Sequence, residues 1–242
     1  MSSIIKRDLF TTKRYKYTFF IFLIYLTYFF LQHFFMKSLF KEGILNVLTR
    51  TIGINYNSVH FLDILVIILT IIYIVFLTLS IYLDDLSSGK EQILLRISRK
   101  EYVVSKLLSI IIYIFISNFI LYILFVLMFM IFKYNVEYLF LLKLFLIDSL
   151  LKVIYSYLCL MIYNSTNILI TILIFMLIPI CTLLKLPFQT LYAFQNINNL
   201  LILLLMLATI FIISALALTK RIDTLFLKEE KNEIWYKHSK FI

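Results

Sequence analysis

Apolar residues in this chain come in long unbroken runs, not in alternation. Runs near residues 17–36, 61–83, 107–132, 139–163, 168–184 and 198–219 reach or approach the length a helix needs to cross a bilayer, roughly 20 residues. Alternation with a period of two would mark barrel strands; continuous runs in lipid satisfy their own backbone only as helices. The pattern therefore predicts an all-α, polytopic membrane protein with six transmembrane helices. The intervening polar stretches are short, and neither repeats nor linkers divide them, so residues 17–219 form one membrane domain. A charged tail follows at 220–242, and residues 1–16 form an amphipathic lead-in. The lead-in sets Ile4, Ile5, Leu9 and Phe10 beside Lys6, Arg7, Lys13 and Arg14, which predicts a helix lying along the inner leaflet.

One polar segment is patterned closely enough to carry a further prediction. Between the second and third runs stand Ser88 with Glu91 and Ser98 with Glu101, two Ser-x-x-Glu capping boxes ten residues apart. Each box can satisfy the orphan amides that open a helix. The first opens a helix of about two turns, with Ile93, Leu94 and Ile97 opposed to Lys90, Glu91, Gln92 and Arg96, a pattern suited to a membrane surface. The second leads through Lys106 into the third apolar run. Two helix starts in one loop place a short surface helix between two spans, where another protein can push on it.

Composition and charge then set the orientation. The hydrophobic set makes up 63% and charged residues 15%, and mean hydropathy is +1.00, outside the range of soluble domains. With the amino terminus inside, the inner segments hold sixteen basic residues and the outer ones six, with Lys152 inside a span. That asymmetry places both termini in the cytoplasm of a cell-membrane protein. The net charge of +10 is thus accounted for by topology and anionic lipid, not by nucleic acid. Cys159 and Cys181 both lie inside apolar runs and read as small buried hydrophobes.

Catalytic patterns are missing. The three glycines, Gly43, Gly53 and Gly89, cannot build a Gly-x-x-x-x-Gly-Lys phosphate loop, so the chain does not hydrolyse ATP alone. His33, His60 and His238 offer no His-Glu-x-x-His pair, and no Gly-x-Ser-x-Gly elbow occurs. The candidate chemistry lies in the fourth run, where Asp148 and Lys152 stand four apart on one helix face that continues through Tyr155, Ser156, Cys159 and Tyr163. Charges at depth are costly and face a partner or a cavity. On one reading this stripe lines a substrate path or a seam with a second subunit. On the other, Asp148 and Lys152 pair with each other near the outer interface, the span starting closer to Leu150. Asn118 with Ser117 in the third run is expected to make interhelical hydrogen bonds.

The order of these parts resembles the type-2 permeases of ATP-binding-cassette exporters: a basic lead-in, two spans, the patterned loop, then four spans with a short polar turn, Asn164 to Asn167, between the fourth and fifth. In that family the loop typically carries an acidic residue, a short helix, then Ser-Arg-x-Glu-Tyr and a Lys opening the third span. Glu91, Arg96, Ser98, Arg99, Glu101, Tyr102 and Lys106 match it. The resemblance implies that residues 88–97 are the coupling helix that docks on cytoplasmic ATPase subunits. It further implies a second permease copy, identical or a sibling, and no cofactor on this chain, ATP and Mg entering through the partner. The size and hydrophobicity look similar to short bacterial permeases that expel lantibiotics, bacteriocins and other amphipathic peptides. A stand-alone integral membrane immunity or scaffold protein is the alternative.

Overall fold

The computed structural model describes residues 5–6, 8–9, 12–35, 61–87, 98–133, 138–167, 169–174 and 204–220. All regular structure among them is helical. Four long helices come first, α1 (Thr12–Phe35), α2 (Phe61–Ser87), α3 (Arg99–Ile131) and α4 (Tyr138–Ser165). Residues 169–174 begin a fifth helix, α5, and Leu204–Lys220 form α6. Three stretches are long and apolar enough to cross a membrane, Ile64–Tyr82, Lys100–Ile131 and Tyr138–Ser165, while Lys16–Leu31 and Leu204–Lys220 are shorter apolar helices. Three of the helices extend beyond the apolar runs. Thus α3 starts at Arg99 rather than 107, α2 continues through Asp84 and Asp85, and α1 takes in residues 12–16 of the expected lead-in.

The helices pack up and down. Thr18 and Phe29 of α1 meet Tyr113 and Phe129 of α3 in the same order along the chain, so these two run parallel. In α2, Tyr73 meets Thr18 and Thr70 meets Tyr25, the reverse order. In α4, Tyr157 meets Leu107 and Asp148 meets Asn118, reversed again. α1 packs on α2, α3 on α4, and α2 on both α3 and α4.

Burial shows which helix is central. Every residue of α4 from Ile147 to Ile154 is buried, more than two full turns, so neighbours surround it on all sides. One neighbour is α6, whose Phe211 ring lies 5.8 Å from that of Tyr157. α1 and α3, by contrast, each expose a stripe of large apolar side chains, such as Phe19, Phe20 and Leu23 on α1 and Ile116, Phe119 and Ile123 on α3. A stripe of this kind faces lipid without cost.

The interfaces are filled by rings and hydroxyls instead of by glycine. Tyr25, Phe29, Tyr122, Phe125 and Phe129 interlock at one end of the bundle, with centroid separations of 5.2 to 5.8 Å. Near the other end, Ser105 and Ser109 are fully buried one turn apart on α3. Each donates to the carbonyl four residues back, so these small residues allow close approach without leaving an unsatisfied hydroxyl. Cys159 is a free, fully buried cysteine packed with Ile71, Val75 and Leu79, as expected of a small hydrophobe. Cys181, Pro179 and the segment 185–196 lie outside the described residues.

Two local signals shape the ends. After α3, Lys133 takes a positive φ of 56° and its amide donates to Met130, the left-handed residue with which many helices stop. After α4, the polar turn is made as its sequence suggests. Thr166 donates to Ile162, and the Asn167 side chain accepts from the Ile170 amide, capping α5.

Candidate functional site

The opening of α3 holds five of the residues expected to couple to an ATPase. Ser98 has extended dihedrals, φ −60° and ψ 143°, and its Oγ accepts from the Glu101 amide at 3.3 Å, so the serine half of the second capping box is formed. Ser98, Lys100 and Glu101 are exposed, and Arg99 is the first helical residue. Tyr102 and Lys106 point the other way, into the core, at 2% and 1% exposure. Glu91 and Arg96, with the whole segment 88–97, lie outside the described residues. The expected set thus includes an exposed pair, Ser98 and Glu101, and a buried one, Tyr102 and Lys106.

Lys106 is buried because it is fully occupied. Its Nζ donates to Asp8 Oδ1 at 2.9 Å, sits 2.8 Å from the second oxygen of the same carboxylate, and donates to the Ile81 carbonyl of α2 at 2.9 Å. The Tyr102 ring lies 5.8 Å away.

The second group sits in the middle of the bundle. α4 begins at Tyr138, so Asp148 lies about 15 Å along the helix at 1.5 Å per residue. The helix thus runs about three turns before the pair, and the apolar stretch it carries spans Tyr138–Ser165. The pair itself forms, with Lys152 Nζ 2.7 Å from Asp148 Oδ2 and both side chains 6% exposed. Asn118 of α3 completes it. Its Nδ2 donates to Asp148 Oδ2 at 3.1 Å and to Ser149 Oγ at 3.0 Å, while its Oδ1 accepts from Lys152 at 2.8 Å. Asn118 does make the interhelical bonds expected of it. Its amide therefore has one orientation only, since both donors and the acceptor are used on α4. Tyr25 of α1 closes the group from a third side, its ring 5.9 Å from Lys152 Nζ.

A thread of hydroxyls links this node to the other helices. Thr70 Oγ1 donates to the Val66 carbonyl at 2.8 Å, so in its 3.1 Å contact with Tyr25 the phenol is the donor. Thr18 and Tyr113 meet at 2.7 Å. Of the expected stripe, Asp148 and Lys152 enter the node, but Ser156 turns its hydroxyl back on the Lys152 carbonyl at 2.9 Å. Tyr155 packs partly buried among apolar side chains such as Ile71 and Val75. Ser149 and Tyr25 were not foreseen. Ser149 follows Asp148 directly in the sequence, which is a weak signal, whereas Tyr25 carries none. Starting about one turn from the node and running to the far ends of α3 and α4, the two helices form an apolar groove of about 270 Å³ lined by Phe119, Tyr122, Ile123, Met130, Tyr138 and Phe145.

The node neutralises its own charge. Its one cation and one anion touch, each is held by a fixed amide, and the pair is shielded from lipid by three helices. Such a group can sit in a membrane interior at modest cost, and it ties α1, α3 and α4 into one register. Comparisons with protein-family models, with curated proteins and with solved structures find no match to this chain.

Proposed function

We propose that this chain is the six-span permease subunit of an ATP-binding-cassette exporter, with both termini cytoplasmic and a second permease copy beside it. ATPase subunits dock on residues 88–97. The observation that carries this reading is the Ser98 cap. It starts α3 with Ser98, Lys100 and Glu101 exposed, at the end of the bundle where α2 reaches Ser87, and the two helices that flank residues 88–97 pack on one another. A push on that segment tilts α2 and α3 together. Because α3 holds α4 through Asn118, the tilt reaches the charged node, and the apolar groove that starts about one turn from it suits the greasy part of an amphipathic substrate such as an antimicrobial peptide. ATP and Mg belong to the partner in this scheme, and the chain itself is a transporter subunit rather than an enzyme.

The test is co-purification with a candidate soluble phosphate-loop ATPase. Wild type is expected to retain the ATPase, and the Glu91→Ala/Arg96→Ala double variant to lose most of it while inserting and expressing normally. Equal recovery from both would remove the coupling role of residues 88–97. No recovery from wild type would leave a stand-alone integral membrane protein.

A further inference from the structure

The amphipathic lead-in is expected to lie along the inner leaflet, and two of its described residues, Asp8 and Leu9, dock on protein. Asp8 is 1% exposed and bound to Lys106, while Leu9 packs on the cluster that holds Leu77, Ile81, Tyr82, Tyr102 and Val103. Lys6, two residues away, is exposed. Asp8 and Leu9 therefore form the side of the segment that meets the bundle. Three separate parts of the chain meet at Lys106 Nζ: Asp8 from the amino-terminal segment, the Ile81 carbonyl six residues before the end of α2, and α3 itself. The socket is therefore built by the two helices that flank segment 88–97.

We propose that the segment around Asp8 and Leu9 is a strap seated in this α2–α3 socket, and that Lys106 is the positioning residue that locks it there. The strap leads within a few residues into α1, which contributes Tyr25 to the node. It offers a second mechanical route from the flanks of residues 88–97 to the middle of the bundle, through α1 instead of through α3. Buried charge makes the lock all-or-none. If the strap lifts, the contact between Lys106 and Asp8 is lost and both buried charges must be resolvated, so intermediate positions are disfavoured. The role of the strap in coupling rests on the permease reading, whereas its docking does not.

The docking is tested with the full chain in membrane vesicles, with Cys159 and Cys181 replaced and a reporter at Leu9→Cys. The rate of reaction with N-ethylmaleimide is then compared across Asp8→Asn, Lys106→Met and the double variant. Each single change is expected to raise the rate about tenfold or more, and the double change by much less than the product of the two, because both break one contact. Unchanged rates in the single variants, or effects that multiply, overturn the lock. Should Lys106→Met fail to insert, Asp8→Asn decides alone, since Asp8 lies outside the four long helices. A second arm measures ATP hydrolysis by the complex with its ATPase. Asp8→Asn is expected to reduce the stimulation of hydrolysis by the permease at least about threefold while the ATPase still co-purifies. Full stimulation with a released strap would make the strap an anchor and overturn its role in coupling. A parent chain that recovers no ATPase would overturn the permease reading and the coupling role together, leaving the labelling result standing.

Discussion

The ammonium of Lys152 is held on two sides by oxygen and on a third by a ring, and every one of those partners comes from the protein. Removing either charge leaves the other buried alone, which in protein interiors costs about 3–5 kcal/mol, whereas removing both is close to neutral. Asp148→Asn and Lys152→Met are therefore expected to lower thermal stability in detergent sharply, and the double variant to recover most of the loss. Simple addition of the two single losses would show that the pair is not the unit. The double variant also separates structure from transport. If it assembles with the ATPase yet no longer exports, the node lines the substrate route; if it exports like wild type, the pair only holds helices together. Tyr122 gives the opposite kind of prediction. Its hydroxyl is buried and has no hydrogen-bond partner among the described residues. An unsatisfied buried hydroxyl is a cost of about 1–3 kcal/mol, so Tyr122→Phe is expected to leave stability unchanged or raise it. A clear loss of melting temperature would mean that the hydroxyl is bonded after all.

At the scale of elements, the ends of α3 are determined by chemistry within a few residues of each boundary. Ser98→Ala removes the acceptor for the Glu101 amide and is expected to cost about 1 kcal/mol, seen as faster hydrogen exchange in the first turn of α3 with little change at Asn118. At the far end, Lys133 holds a positive φ of 56° that a side chain disfavours. Lys133→Gly is expected to stabilise the chain by about 0.5–1 kcal/mol, measured by thermal unfolding, because glycine adopts that conformation without the Cβ clash. A destabilised Lys133→Gly variant would place the importance of Lys133 in its side chain. These boundaries were legible in the sequence because caps are local: Ser98 and Glu101 stand three apart, and Asn164 to Asn167 form a polar break between apolar runs. The lead-in was less legible. Its amphipathic pattern does not say that Leu9 and Asp8 meet protein, which only the packing shows.

For the whole molecule, the sixteen-to-six asymmetry of basic residues commits to one topology. With Cys159 and Cys181 replaced, cysteines at Asn46 and Asn135 are expected to react with an impermeant thiol reagent in intact cells, and cysteines at Ser87 and Ser239 are not. Labelling of Ser239→Cys from outside would require an odd number of spans and end the six-span proposal. The same experiment orients the bundle, since Lys106 and its partners lie at the Ser87 end and the interlocked rings of Phe29 and Phe129 at the other.

The sequence by itself determined that the chain is helical, roughly where each long helix runs, that Ser98 begins one of them, and that Asp148 and Lys152 share a face. All of these follow from interactions within about one turn of helix or from the length of an apolar run, so a linear pattern contains them. Only the tertiary structure decided that Asn118 clamps the pair from 30 residues away, that Tyr25 covers it, and that Lys106 turns inward to Asp8, 98 residues earlier, instead of outward. It also decided that α4, less apolar than α2 and α3, is the helix the others surround. In a chain that is apolar on nearly every face, hydrophobicity does not say which face is inside. That choice is made by where buried polar groups find partners, and those partners lie on other helices.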